Sequence, residues 1–217
     1  MLQRSFRPPD AIQYSQTKFV AEVVVRRAAR RISSETNRLV VTNPGWVIGT
    51  PTEGYSNPDD YIWRLAATCV RVAAYNVADA DGWLSISDVT TTAAKIIDTA
   101  LGTRIESETE KHTTDGMKWK EFWAILGDLG YKLKPRGMAE WLNLVRADIE
   151  ATRESHPLWP LAHMIEGLQN DERVASRSLG KSGNTPLRLK VAVSRSAQFL
   201  IKAGLLPTPP EKPQQAI

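Results

Sequence analysis

The chain of 217 residues has a formal net charge of +4 and is 42% hydrophobic and 24% charged, a composition ordinary for a globular protein. It contains no apolar run of about 18 residues and no apolar secretory signal near its start, so we expect a cytoplasmic protein without a membrane span. Its one cysteine, Cys69, excludes an intrachain disulfide, and its three histidines lack zinc-site spacing, so we expect a buried Cys69 and no metal.

A basic cluster that could bind nucleic acid lies near the end of the first predicted helix. It consists of Arg26, Arg27, Arg30 and Arg31. Cations late in a helix also complement its dipole while staying solvated. Neither interleaved aromatic residues nor a known binding module accompanies the cluster, so we expect no nucleic-acid partner. The alternative, a basic interaction module, predicts binding that weakens steeply with salt.

The first two predicted elements are a helix and a buried strand. Residues 10–31 have helical periodicity, and residues 39–42 form a short β-branched apolar run, typical of a strand covered on both faces in a parallel sheet. Pro44-Gly45 ends this strand, and residues 47–49 lead into a loop rich in turn formers. A helix followed by a buried strand is half of a βαβ crossover unit.

The next helix is predicted to start after Asn57, with Asn57 as the N-cap, Pro58 at the first helical position and Asp59-Asp60 in the first turn. The alternative for the two carboxylates, a general acid/base dyad, is less favoured because capping already explains both of them.

Residues 82–87 alternate like a strand, and Asp88 follows as the predicted N-cap of a helix over 89–101. Further helices are predicted at 118–129, 138–154, 160–168 and 187–203. Residues 170–185 are polar and predict a surface loop.

These elements predict an α/β fold, namely the C-terminal portion of a doubly wound, Rossmann-like parallel sheet with a mainly helical substrate-binding lobe. We expect the sheet portion in residues 1–104 and the lobe in residues 105–206. The proline-rich residues 207–217 predict a disordered tail.

The sharpest chemical signal is Tyr14-Ser15-Gln16-Thr17-Lys18, in which a tyrosine and a lysine stand four residues apart. On a helix such residues share a face. A phenol with a reference pKa of about 10 is a poor acid/base group at neutral pH, and a neighbouring cation lowers that pKa. This spacing alone is common in proteins. It gains weight here because Pro44-Gly45 follows a predicted strand, and open α/β sheets bind ligands at the C-terminal ends of their strands.

In these residues the chain resembles the extended short-chain dehydrogenases, and more closely the thioester reductase domains, of the male-sterility NAD-binding type. Such domains end many nonribosomal peptide synthetases, polyketide synthases and carboxylic acid reductases. The resemblance is strongest in the stretches 14–22, 43–49 and 57–61 and weaker at 83–97, 130–131, 140–141 and 156–161. Nearly the whole chain thus aligns with the second half of such a domain.

The resemblance implies that Tyr14 donates a proton to the developing oxyanion, while NADPH reduces a thioester held on the phosphopantetheine arm of a carrier protein. It implies that Lys18 lowers the tyrosine pKa and binds the nicotinamide ribose, and that Pro44, Gly45 and Val47 face the nicotinamide. The product is an aldehyde or an alcohol.

The glycine-rich phosphate loop of that superfamily, G-x-x-G-x-x-G, does not occur in the sequence. We therefore expect an N-terminal cofactor-binding half to come from residues before Met1 or from a partner protein. The alternative is a non-redox domain that recognises a carrier-bound acyl chain or condenses it. Five tryptophans could form apolar walls of a substrate pocket, and we expect most of them to belong to the core instead: Trp63, Trp119, Trp123, Trp141 and Trp159.

Overall fold

A computed structural model describes residues 13–32, 41–101, 110–112, 115–162, 165 and 184–210. The α-helices within them are α1 (Gln13–Ile32), α2 (Tyr61–Arg71), α3 (Val89–Leu101), α4 (Trp119–Asp128), α5 (Met138–Thr152) and α6 (Leu187–Lys202). The strands are β1 (Val41–Asn43), β2 (Trp46–Ile48), β3 (Ala74–Asn76), β4 (Trp83–Leu84), β5 (Ile86–Asp88), β6 (Glu110–His112), β7 (Met117–Lys118) and β8 (Lys134–Arg136). None of the helices in these ranges is both long enough and apolar enough to cross a lipid bilayer.

The strands form four pairs, of which three are parallel. β1 pairs with β6, β2 with β5 and β3 with β8 in parallel, whereas β4 and β7 run antiparallel. Because parallel neighbours need a crossover connection, helices separate the paired strands along the chain. The predicted mixed α/β fold with parallel strands is confirmed.

The chain divides into two compact units. The first comprises Met1–Pro44 with Ala93–Thr113, and the second comprises Gly45–Thr92 with Thr114–Ile217. The first unit contains α1, the β1–β6 pair and most of α3, and the second contains the other strand pairs and α2, α4, α5 and α6. The predicted boundary at residue 104 lies outside the described residues, so the division at 104 and 206 stays a prediction.

The start of α2 corrects the sequence prediction, because the helix begins at Tyr61 and not at Pro58. The side chain of Asn57 accepts a hydrogen bond from the backbone N–H of Asp59 at 3.0 Å, and the carbonyl of Asn57 accepts one from the N–H of Asp60 at 3.2 Å. Asn57 therefore caps a turn that precedes the helix, a local arrangement that competes with helical hydrogen bonds.

The strand β2 was missed by the sequence interpretation, which placed its residues at the entrance to a loop. The backbone N–H of Trp46 donates to the carbonyl of Ser85 at 3.0 Å, and Val47 lies opposite Ser87 in β5. The predicted strand over 82–87 is divided at Ser85 into β4 and β5, which pair with different partners. Both differences have the same cause. Whether two or three residues form a strand depends on the strand that they pair with, which a local sequence pattern does not show.

The end of the chain also differs in part from the predictions. A 3₁₀-helix spans Trp159–Leu161 at the predicted 160–168 helix, most of whose remaining residues lie outside the described ranges. Residues 211–217 of the predicted tail also lie outside the described ranges. Pro207, at the start of that tail, is held in place, because its carbonyl accepts a hydrogen bond from the hydroxyl of Tyr131 in the turn after α4, at 2.5 Å.

The buried hydrophobic core lies in the second unit, and its centre is aromatic. Phe122 of α4 is fully buried, and its ring centroid lies 5.8 Å from that of Trp63, 5.8 Å from that of Trp119 and 5.1 Å from that of Trp123. Cys69 is also buried, as predicted, and burial raises the pKa of its thiol to about 12.

The tryptophans named as possible pocket walls are mostly core residues, as expected. Trp63, Trp123 and Trp141 are buried, Trp119 is half-buried and Trp159 is 40% exposed. Their positions follow from helical spacing, which brings one face of α2, α4 and α5 into the core.

Candidate active site and α6 groove

The helix α1 carries the predicted catalytic pair. Tyr14 is its second residue and Lys18 lies one turn later, so the backbone places both residues on one face of the helix. The side chain of Lys18 is exposed, and that of Tyr14 lies outside what the structure describes. The predicted helix is confirmed here, and the contact between phenol and ammonium stays a prediction.

The other predicted site residues lie between and within two successive strands. Pro44 and Gly45 link β1 to β2, and Val47 is the central residue of β2. Gly45 has a φ of +63°, a left-handed conformation that glycine adopts without the penalty of a Cβ atom. Backbone requirements thus explain the glycine, and its predicted contact with a nicotinamide stays a prediction.

Asp88 is a buried carboxylate at the carboxyl end of β5. Its Oδ1 accepts hydrogen bonds from the backbone N–H groups of Thr90 and Thr91, both at 3.1 Å, and its Oδ2 accepts one from the Thr91 hydroxyl at 2.6 Å. The predicted N-cap of α3 is therefore confirmed. From α6, the guanidinium of Arg188 contacts both carboxylate oxygens at 3.2 and 3.3 Å.

Burial opposes ionisation of Asp88, but the hydrogen bonds from Thr91 and Arg188 outweigh it, so the pKa of Asp88 lies below its usual value. A depressed folded-state pKa contributes stability that is present above the unfolded pKa, about 3.9 for aspartate, and is lost as the pH falls through the folded pKa. The ion pair with Arg188 therefore persists at neutral and mildly acidic pH.

We expect Asp88→Ala to lower the free energy of unfolding by about 1–3 kcal/mol at pH 7, because it removes the cap and leaves Arg188 unpaired. Half of the Arg188 side chain is exposed, which keeps the ion-pair contribution small. Asp88→Asn should lower the free energy of unfolding by less, since an amide oxygen still caps α3. Urea denaturation at pH 7 and pH 3 measures both losses.

The loss should shrink at pH 3, where the carboxylate approaches protonation. Asp98→Ala serves as the control, because Asp98 is an exposed residue of the same helix. A loss for Asp88→Ala no greater than that for Asp98→Ala would contradict the assigned role of the cap.

The loop that follows β2 packs its backbone against α6. A Cβ atom on Gly54 would overlap the backbone of Arg195 and Ser196, and one on Gly49 would overlap the backbone of Gly54. Gly54 also has a φ of +72°, which favours glycine. Its N–H donates to the carbonyl of Thr50 at 3.0 Å, so the loop is closed on itself as well as on the helix.

A groove of about 450 Å³ lies between this loop and α6, and we call it the α6 groove. Its walls include Thr52, Glu53 and Tyr55 from the loop and Arg195, Phe199 and Lys202 from α6. It lies after the carboxyl end of β2, the end of a parallel strand at which open α/β sheets commonly bind ligands.

A second polar cluster is structural. The backbone N–H of Leu158 donates to Nδ1 of the buried His156 at 3.0 Å, and Nε2 lies 3.2 Å from Oδ2 of Asp148. Arg71 donates to both oxygens of the same carboxylate at 2.8 and 2.9 Å. Burial lowers the pKa of His156, so its ring is neutral at pH 7, and the cluster joins α2, α5 and the turn after α5.

The sequence interpretation missed the cations of α6. The signal was present, because Arg195, Phe199 and Lys202 recur at helical spacing and thus share one face. The sequence did not show that the loop after β2 forms the other wall of the groove, because that loop lies beside this face of α6 only in the folded chain.

The chain is similar in sequence to one protein family and to large synthetases. The family described as male sterility protein, of the NAD-binding type, matches residues 3–96. The chain is 44% identical to peramine synthetase of Metarhizium majus over 198 residues, which cover 90% of this chain and 7% of that protein. It is 41% identical to D-lysergyl-peptide-synthetase subunit 3 of Claviceps purpurea over 203 residues, covering 91% of this chain and 11% of that protein.

Solved reductase domains share the fold. The PhqB reductase domain from Penicillium fellutanum has a TM-score of 0.73 at 28% identity, covering 88% of this chain and 54% of that one. The terminal R domain of the myxalamid PKS-NRPS pathway has a TM-score of 0.67 at 24% identity, covering 91% and 51%. The chain thus spans about half of these domains and a small part of the synthetases. Residues 3–96 thus match the male sterility family of NAD-binding domains, and the fold of the chain is similar to that of the reductase domains of nonribosomal peptide and polyketide synthetases.

Proposed function

We propose that the chain is the catalytic and substrate-binding part of an NADPH-dependent thioester reductase. The observation that carries this proposal is the spacing of Tyr14 and Lys18, one turn apart on α1 within the segment that matches the family. The proposed substrate is an acyl or peptidyl thioester on the phosphopantetheine arm of a carrier protein, released as an aldehyde or alcohol. We expect the reaction in the cytoplasm.

The residues fit the reactive end of a nicotinamide cofactor. A tyrosine and a lysine one turn apart on a helix can bring a phenol and a cation side by side, which suits a proton donor beside a ribose. When bound, NADPH supplies a hydride to the thioester carbonyl carbon. Tyr14 donates its phenolic proton to the carbonyl oxygen, and the ammonium of Lys18 stabilises the phenolate that remains. The C–S bond of the resulting hemithioacetal then breaks, which releases the aldehyde and the free thiol of the arm. A second hydride and proton would convert the aldehyde to the alcohol.

Lys18 also donates a hydrogen bond to the nicotinamide ribose in this proposal. Pro44, Gly45 and Val47 form the surface against the nicotinamide, where the left-handed Gly45 leaves no Cβ atom in the way. The glycine-rich loop for the cofactor pyrophosphate is not in this sequence. We therefore propose that activity also needs an N-terminal cofactor-binding half, from the same polypeptide or from a partner.

A chimera tests this proposal. The part of the PhqB reductase domain from Penicillium fellutanum that precedes the aligned segment is fused to this chain, and NADPH consumption is followed with an acyl-phosphopantetheine thioester. We expect consumption that depends on the thioester, more slowly with NADH, and an aldehyde or alcohol detectable by mass spectrometry. The chain alone, as the control, should consume no NADPH.

A chimera that folds by circular dichroism and binds NADPH, but leaves the thioester unreduced, would contradict the proposal. Hydrolysis or condensation of the thioester without NADPH consumption would instead identify a non-redox domain.

A further inference from the structure

The α6 groove combines two cations with an exposed aromatic surface. Arg195 and Lys202 lie seven residues apart on α6, so both side chains start from the same face of the helix. Across the groove, Tyr55 is 71% exposed, and its ring meets that of Phe199 edge-on with centroids 5.2 Å apart.

The charges of α6 divide into two groups. Arg188 is paired with Asp88, and Lys190 Nζ lies 2.9 Å from the carboxylate of Glu121, so these two cations hold the helix in place. By contrast, neither Arg195 nor Lys202 has a carboxylate partner among the residues that the structure describes. Within that part of the chain the guanidinium of Arg195 donates a hydrogen bond to the neutral amide oxygen of Gln198, at 3.3 Å.

The groove contains one carboxylate, that of Glu53, which is held within its own loop. The hydroxyls of Thr50 and Thr52 both donate to it, and these hydrogen bonds lower the pKa of Glu53. The two cations from α6 leave the groove with a net positive charge. An anion is therefore the complementary ligand.

The groove is also preformed. The loop approaches α6 so closely at Gly54 that a side chain there would overlap the helix backbone, and Ser56 accepts a hydrogen bond from the N–H of Gly49 at 3.0 Å. Because the wall that carries Tyr55 is fixed to the wall that carries the cations, a ligand needs to order little backbone on binding. A volume of about 450 Å³ suits a small organic ligand better than a lone inorganic ion.

We propose that the α6 groove binds the phosphate-bearing end of a phosphopantetheine arm, with Arg195 and Lys202 contacting the phosphate and Tyr55 packing against the adjoining dimethyl group. The identity of this ligand rests on the proposed function. A phosphodiester followed by a short apolar segment matches a cationic pair beside an aromatic ring. Inorganic phosphate shares only the anionic part of this chemistry, and NADPH, whose 2′-phosphate adjoins an adenine ring, is the competing ligand that the test has to distinguish.

Calorimetric titration of the full chain tests the proposal with four probes: 4′-phosphopantetheine, pantetheine, inorganic phosphate and NADPH. We expect 4′-phosphopantetheine to bind about tenfold or more tightly than pantetheine, since charge-assisted hydrogen bonds to the phosphate contribute roughly that factor. It should also bind more tightly than inorganic phosphate, which lacks the dimethyl group that packs against Tyr55. The double variant Arg195→Ala/Lys202→Ala should bind 4′-phosphopantetheine no more tightly than pantetheine. Tyr55→Ala should weaken the binding of 4′-phosphopantetheine, and Tyr55→Phe should preserve it.

The matched control is Lys132→Ala/Lys134→Ala, which removes two exposed cations elsewhere in the same unit. This variant should bind as the wild type does, and thermal melting checks that both double variants are folded. Equal affinity for pantetheine and 4′-phosphopantetheine, or equal losses in the two double variants, would overturn the proposal. NADPH binding that depends on Arg195 and Lys202 in the same way would overturn it too, by identifying a nucleotide-phosphate site.

This titration does not require reduction. A chimera that reduces thioesters while the groove binds no 4′-phosphopantetheine contradicts only the groove proposal. Binding in the groove without any reduction by the chimera contradicts only the proposed reductase.

Discussion

Replacing Tyr14 with phenylalanine is expected to lower thioester-dependent NADPH oxidation by the chimera about 10²–10⁴-fold, the usual contribution of a general acid. The substitution removes one hydroxyl and keeps the ring, so the position of Tyr14 in α1 should be unaffected. If the phenol donates the proton, binding of NADPH should change little while kcat falls. Rates at saturating thioester, with NADPH affinity measured separately, check both expectations.

Tyr75→Phe is the matched control, because it also removes a phenolic hydroxyl and leaves a ring stacked on Trp123. That variant should retain wild-type turnover. If Tyr14→Phe retains it as well, Tyr14 is not the acid. If Tyr14→Phe loses turnover as expected, Lys18→Met should shift the pH profile of the rate, since a cation beside the phenol moves the pH at which the rate changes.

Replacing Phe122 with alanine is expected to lower the free energy of unfolding by about 3–5 kcal/mol, the range for removing a buried phenylalanine. Phe122 is fully buried, and its ring contacts Trp63, Trp119 and Trp123. Its removal leaves a cavity bordered by large, rigid rings that cannot collapse to fill it. Urea denaturation followed by tryptophan fluorescence and circular dichroism measures the loss.

Leu144→Ala is the control for this prediction, because Leu144 is 39% exposed on α5 and its truncation should change stability by less than about 1 kcal/mol. A loss for Phe122→Ala that is no larger than that for Leu144→Ala would mean that the aromatic centre is not the main stabilising core of this unit.

Local chemistry made some elements predictable. Asp88 was recognised as an N-cap because an acidic residue directly before a helical run accepts the free N–H groups of the first turn, and α3 has the predicted bounds. The bounds of α6 agree to within one residue, since its apolar face is periodic over four turns. The burial of Cys69 followed from its apolar neighbours.

The candidate site was predictable only where one element carries it. The spacing of Tyr14 and Lys18 indicates a shared face because a helix has a fixed period, and α1 is a helix over both residues. The α6 groove could not be predicted in this way. Tyr55 and Arg195 are 140 positions apart in the chain, and no local pattern joins a loop to a helix at that separation.

The sequence by itself determined the bounds of α3 and α6, the cap of α3, the α/β class and the Tyr14–Lys18 spacing, because each depends on residues within a few positions of one another. Only the tertiary structure decided that residues 46–48 pair with β5, that residues 57–60 form a turn before α2, and that a loop closes on Arg195. The physical reason is the same in all three cases. Strand pairing, turn selection and close backbone approach take their free energy from partners that are distant in sequence and adjacent only after folding.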